Sequence, residues 1–220
     1  MEDILKIAIL GGTGNEGAGL GFRWAAAGHD IIIGSRSAER AAQAAEKLRA
    51  GLPAGSGLIT GRENTIATQE AEIIVLSVPY EAQTATLDTV APVLAEKLLI
   101  TVVAPLGTPK GRVWAVPGGS AAEEAQRQLG ESVSVVAAFQ SISAEHLQDL
   151  DHDIDSDVLV IGDRKADRQV AVDLAADAGM RGVHAGPLQN APVIEGLAAV
   201  MIAINVRYKM KDAGLRITGL

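Results

Sequence analysis

The stretch Ile7-Ala8-Ile9-Leu10-Gly11-Gly12-Thr13-Gly14-Asn15-Glu16-Gly17 constrains this chain more than any other. An apolar run ends in a glycine cluster, and an amphipathic pattern follows from Asn15 to Ala27. That order reads as strand, tight turn, helix. Gly12, Gly14 and Gly17 stand in G-x-G-x-x-G spacing. The first allows a sharp turn, the second a close approach of backbone to a pyrophosphate, and the third close packing of helix on strand. The free N–H groups and positive dipole end of the helix then hold phosphate. Three glycines alone are a weak signal. Placed after an apolar strand and before a helix, they point to a dinucleotide site rather than a structural turn.

The rest of the chain repeats the alternation of strand and helix. Asp30–Gly34 is a second strand and closes a β-α-β unit of about thirty residues. Ser37 can cap a helix whose stripe is Ala38, Ala41, Ala42, Ala45 and Leu48. Leu58–Thr60, Glu72–Val78, Leu98–Ala104, Ser132–Phe139, Val158–Gly162 and Gly182–Ala185 read as further strands. Their continuous apolar character suits a buried parallel sheet. Helices are expected near Thr65–Gln69, over Tyr80–Leu94 with Pro92 ending or kinking it, from Ser120 to Leu129, over Asp163–Ala178, and from Ala191 to Met210. Ser120-Ala121-Ala122-Glu123 is a capping box, and Gly130 a stop. Pro105–Gly119, rich in Gly and Pro, reads as a loop over the carboxyl edge of the sheet. The expected fold is therefore α/β: a Rossmann-type, mostly parallel sheet with helices on both faces, plus a smaller C-terminal α/β part. Residues 1–139 would form the nucleotide-binding domain, and 140–220 the smaller part.

The end of the second strand selects the nucleotide. An NAD site places an acid there to accept from the ribose hydroxyls. This chain has Ser35-Arg36, with Arg40 one helical turn on. A hydroxyl and two guanidinium groups attract a 2′-phosphate that an acid would repel. The pattern favours NADP over NAD, the alternative for Arg36 being a solvated surface charge.

Other chemistries lack their residues. No Cys is present, so disulfides and thiolate catalysis are excluded. His29, His146, His152 and His184 stand in no metal spacing, so no metal is expected, and His29 reads as a solvent-facing turn residue. Asp149, Asp151, Asp153, Asp155 and Asp157 alternate, but the glycine and terminal acid of a calcium loop are missing, which leaves a solvated loop. No Ser sits in a nucleophile elbow. A net charge of −8 without a basic run argues against nucleic acid. Neither a signal peptide nor an apolar run long enough for a bilayer is evident, so no membrane partner and a cytoplasmic location are expected. Hydride transfer between two bound cofactors survives this elimination, because the protein then needs to align two rings and exclude water rather than supply a catalytic residue.

The chain resembles the NADPH-dependent coenzyme F420 reductases, also called F420H2:NADP oxidoreductases. The matching pieces are Leu10-Gly11-Gly12-Thr13-Gly14-Asn15, Gly34-Ser35-Arg36, Ser77-Val78-Pro79 followed by Tyr80, Ala104-Pro105-Leu106, Ala185-Gly186-Pro187-Leu188, the long last helix, and the end Leu215–Leu220. The resemblance implies that Thr13, Gly14, Asn15 and Glu16 surround the pyrophosphate. It implies Ser35, Arg36 and Arg40 at the 2′-phosphate, and Ser77, Val78 and Pro79 beside the adenosine or nicotinamide half. The loop after Phe139, with Gln140, Ile142 and Ala144, and also Leu215, would face the deazaflavin (coenzyme F420). Members of the family often carry His where this chain has Gln140, and Pro where it has Ser143. Gln140 can donate a hydrogen bond to a ring carbonyl but cannot carry a proton.

Two other readings are weighed against this one. An NADP-dependent reductase of a small imine or keto acid would share the first half but needs an acid or base near the nicotinamide, for which Lys110 is the candidate unless it is a surface residue. A nucleotide-sensing module without catalysis needs no second half of this length. The apolar helix Ala191–Met210 has few charges, and a homodimer is expected to cover part of it.

Overall fold

The computed structural model describes residues 4–107 and 111–220. Lys110 lies outside the described residues. Among the described residues, eight strands form one sheet in the order β3-β2-β1-β4-β5-β6-β7-β8. They are β1 Lys6–Leu10, β2 Asp30–Ser35, β3 Ile59–Glu63, β4 Ile73–Leu76, β5 Leu98–Thr101, β6 Ser134–Ala137, β7 Asp157–Gly162 and β8 Arg181–His184. All neighbours are parallel except β6 and β7. The chain runs outward from β1 to β3 and then returns to place β4 on the other side of β1. That reversal opens a crevice at the carboxyl ends of β1 and β4, where open α/β sheets bind ligands.

The helices are α1 Asn15–Ala26, α2 Ala38–Arg49, α3 Asn64–Glu70, α4 Tyr80–Val90, α5 Ala121–Leu129, α6 Lys165–Asp177 and α7 Ala191–Tyr208. Successive side chains on a strand point to opposite faces, and here both faces are covered. Ile7 and Ile9 pack with Leu20, Trp24, Leu48 and Leu174, beneath α1, α2 and α6. Ala8 and Leu10 pack with Ala67, Leu87, Ala122 and Ile194, beneath α3, α4, α5 and α7. This two-sided burial is why the strands read as continuous apolar runs. Pro92 ends α4 as expected, in a short 3₁₀ turn over Ala91–Val93.

Three residues depart from the sequence reading. His29 is buried, not solvent-facing: its Nδ1 accepts from Leu5 N at 3.2 Å and its Nε2 meets Asp177 Oδ2 at 2.9 Å, joining the entry of β1 to the end of α6. Asp157, grouped with the solvated acids, is fully buried and grips Arg181 through both oxygens, at 2.9 and 2.6 Å. Hydrogen bonding from Arg181 holds its carboxyl below the usual range. Glu195 is buried within the apolar α7, where it accepts from Ala121 N and Ala122 N at 2.8 and 2.9 Å and so caps α5. Burial pushes its carboxyl up to about 7 against the pull of those two N–H groups. An 18-residue window within the helix Leu188–Tyr208 has a mean hydropathy of 1.3, which by length and composition is enough to cross a membrane, where the sequence reading expected no such run.

Candidate functional site: a two-chambered cleft

The register of the sheet builds the site. Leu10 is level with Gly34 on β2 and with Leu76 on β4, so the chain leaves all three strands at one edge. Ser77 N donates to Leu10 O at 2.8 Å and holds the two exits together. The sharp turn falls on Gly11 rather than Gly12. Gly11 has φ +80°, and a Cβ there would stand 2.3 Å from Ser77 O. No other residue type fits that position. Gly14 caps α1, and a Cβ there would meet only Gly11 O at 3.5 Å, leaving open space above the helix N-terminus. That space, with unpaired helix N–H groups below it, suits a pyrophosphate.

One chamber, of 880 Å³, extends from this turn over β2. Thr13, Gly14, Ser35, Arg36 and Arg40 line it on one side, and Ser77, Val78 and Pro79 on the other. Ser35 Oγ accepts from Ser37 N at 3.3 Å, which fixes its hydroxyl at the strand end. Arg36 and Arg40 are exposed. Sequence reasoning missed Asn64, the first residue of α3, which is buried in this chamber with its Oδ1 unpartnered. It also missed the face of α4, with Ala82, Ala85 and Thr86, that forms the outer wall.

A second chamber, of 500 Å³, shares Gly14, Ser77, Val78 and Pro79 with the first. Asn15, Glu16, Gln140, Ser141, Ile142, Ser143 and Ala144 line it. So do Val102, Val103 and Ala104, which have left the β5 ladder, and Ala198, Met201, Ile202 and Asn205 of α7. These were legible only as strand and helix. Gly17 faces the sheet instead, with a Cβ position 3.0 Å from both Ile9 and Ser77, and Gly12 packs on Ile9. Leu215 does not line either chamber. Its N–H donates to Ser156 Oγ at 3.0 Å and its carbonyl accepts from Asp157 N at 2.6 Å, while Ala213 two residues earlier reaches the second chamber.

Two buried polar atoms in the second chamber lack partners among the described residues, Glu16 Oε1 and Gln140 Oε1. Native structures satisfy nearly all such atoms, so an orphan pair in one chamber marks a place for a ligand that donates. Burial pushes the Glu16 carboxyl up to about 8. It is then largely neutral at pH 7, so it does not repel phosphate and can itself donate. Gln140 donates through Nε2 to Thr101 O at 2.8 Å. Its free group is therefore the carbonyl oxygen, an acceptor for a ring N–H, where the sequence suggested a donor. Phe139 aims this side chain. It has φ +73°, rare for a bulky residue, and its ring is fixed edge-to-face on Trp24 at 5.6 Å.

Residues 6–105 match the family described as NADP oxidoreductase, coenzyme F420-dependent. The chain is 39% identical to the F420-dependent NADP reductase of Methanocaldococcus jannaschii, over 98% of this chain and 99% of that one. It is 40% identical to the enzyme of the same name from Methanothermobacter marburgensis, over 98% and 99%. In fold, a crystal structure from Arthrobacter sp. FB24 aligns with a TM-score of 0.80 at 22% identity, over 97% of this chain and 99% of that one. A pyrroline-5-carboxylate reductase from Coxiella burnetii aligns with 0.58 at 16%, over 83% of this chain and 60% of that one, which is likeness of fold alone. Identity near 40% maintained from end to end places the chain in the F420-dependent NADP reductase family.

Proposed function

We infer that the chain is an NADP-dependent oxidoreductase that passes a hydride between NADP(H) and coenzyme F420. The observation that carries the reading is the shared wall. Two chambers, one basic at its far end and one apolar with two orphan acceptors, meet along Gly14, Ser77, Val78 and Pro79. The chemistry supplied there is direct hydride transfer between two rings. The protein's part is to hold them face to face and dry. Arg36, Arg40 and Ser35 hold the 2′-phosphate. Thr13 and Asn15 present backbone N–H groups to the pyrophosphate over the bare Cα of Gly14, whose own N–H donates to Gly11 O at 3.0 Å, and neutral Glu16 lies beside it without repulsion. Val78 and Pro79 fix the nicotinamide end. Gln140, Ile142 and Ala144 receive the deazaflavin. Residues 1–139 carry the first chamber, and 140–220 complete the second.

An absorbance assay tests this reading. Purified protein with NADPH and oxidised F420 is expected to bleach the deazaflavin band, and with flavin or keto acids to do nothing. Turnover of a keto acid or imine without F420 would place the chain in the alternative class.

Gln140 gives a finer test. Gln140→Ala removes one neutral hydrogen bond in a partly enclosed site and is expected to weaken F420 binding by about 1–2 kcal/mol. NADP binding should hardly change. Equal losses for both would give Gln140 a structural role.

The outer face of α7 supports a homodimer. Val193 is 67% exposed, and Val200, two turns on along the same face, is 42% exposed. They belong to the helix whose other side walls the second chamber, so a partner on that face would hold this wall in place. Light scattering at micromolar concentration is expected to give twice the chain mass, and a monomer there rejects the interface.

A further inference from the structure

Beside the second chamber, the fold gathers three ligating groups that the sequence keeps apart. One ring nitrogen each of His146 and His152 and one carboxylate oxygen of Asp212 all lie within 4.8 Å of one another. The two imidazoles stack with centroids 4.0 Å apart and planes 19° from parallel. The histidines belong to the loop before β7, and Asp212 to the segment after α7. We propose that these three residues bind Zn²⁺, and that the ion clips the C-terminal segment to the loop under the second chamber.

The donor set selects the metal. Two imidazole nitrogens and one carboxylate oxygen are a three-ligand zinc set, with water in the fourth position. Calcium and magnesium prefer oxygen alone. The loop is ordered before any ion arrives. Arg23, on α1 and only 7% exposed, donates to the carbonyls of both ligand residues, to His146 O at 3.3 Å and His152 O at 2.9 Å. It also holds Leu147 O and Asp149 O between them. A preorganised backbone lowers the ordering cost of binding. The third ligand is brought up by its neighbour: Ser143 Oγ donates to Lys211 O at 2.6 Å, and Lys211 Nζ pairs with Glu145. Ser143 and Ala213 both line the second chamber, so an ion on Asp212 ties together two of its walls.

The test is titration of chelator-stripped full-length protein with Zn²⁺ against a chromophoric chelator. One ion per chain is expected. His152→Gln and Asp212→Asn should each weaken it at least tenfold, and His146→Gln with His152→Gln should abolish it. The unliganded variants should melt like the wild type, because Arg23 still holds the loop. At a hundredfold excess over Kd, zinc should raise the wild-type Tm by roughly 5–10 °C and leave the double variant unmoved. Hydrogen exchange around residues 209–213 should slow when zinc binds. The site is overturned if the double variant keeps the same stoichiometry, or if Ca²⁺ binds as tightly as Zn²⁺. Zinc binding with unchanged exchange at 209–213 would overturn the clip. None of these readouts depends on how F420 is placed.

Discussion

Replacing Arg36 by Ala is expected to weaken NADP binding about ten- to a hundredfold and to leave NAD binding nearly unchanged. Arg36 stands at the carboxyl end of β2, exposed, and lining the larger chamber. Among the described residues it makes no salt bridge, so the guanidinium is available to a ligand. A hydrogen bond to a charged group contributes roughly 1.5–3 kcal/mol, and each 1.4 kcal/mol is tenfold in affinity. NAD lacks the 2′-phosphate and loses nothing. Arg36→Asp should go further, since a carboxylate repels the phosphate yet can accept from free ribose hydroxyls. Glu63 and Glu81 already line that chamber, so a third acid would tilt its potential more. Higher salt should weaken wild-type NADP binding more than NAD binding, because part of the preference is Coulombic. Dissociation constants for both nucleotides on the three proteins decide the matter. A wild type that binds both equally, or an Arg36→Ala loss shared by both, removes the 2′-phosphate assignment while leaving the glycine turn intact.

What could be read from the sequence was local. Ser37 and Ser120 cap their helices as expected, with Ser37 Oγ accepting from Arg40 N at 3.3 Å and Ser120 Oγ from Glu123 N at 3.0 Å. The glycine turn, the strand-end Ser35-Arg36 pair and both walls at Ser77–Pro79 lie within a few residues of a strand, so a periodic pattern locates them. Strand ends were overrun for a functional reason. Ser77 and Val78, and Val102 to Ala104, are apolar enough to prolong their strands, yet β4 stops at Leu76 and β5 at Thr101. Past the last strand-to-strand bonds, from Ser77 N to Leu10 O and from Val102 N to Leu76 O, the chain turns to line the cleft instead. Hydropathy cannot distinguish burial under a helix from burial under a ligand. The remaining misses depend on partners far away in the chain. His29 needs Asp177, Asp157 needs Arg181, and Glu195 needs the start of α5. Each polar residue was read as exposed, or not read at all, because its compensating group lies more than twenty residues away.

Arg23 is the extreme case of such dependence, and its removal is the largest stability effect expected. Within α1 it is simply the one cation of the helix. In the fold its guanidinium reaches five carbonyls, those of Leu147, Ala178, His146, Asp149 and His152, the last three sharing the two hydrogens of Nη2. A loop without regular structure is thereby satisfied by one side chain, and the planar fork matches carbonyls that converge from two segments. Arg23→Met keeps much of the volume and apolar stem but leaves those carbonyls without their donor. Each unsatisfied buried acceptor costs about 1–3 kcal/mol, partly recovered where water reaches the loop. The expected loss is about 3–5 kcal/mol in urea unfolding, with a fall in Tm of roughly 6–20 °C. Arg23→Lys should recover little of it, since an ammonium offers three donors without the fork. The loss should also divide the two substrates at temperatures where the variant stays folded. NADP affinity should persist, because the first chamber touches nothing in residues 146–152. F420 affinity should fall, because the loosened loop continues directly from Ser143 and Ala144 in the second chamber. A destabilisation below 1 kcal/mol would mean that water replaces the guanidinium at little cost. Equal losses of both affinities would mean that the loop supports the whole cleft rather than its deazaflavin half.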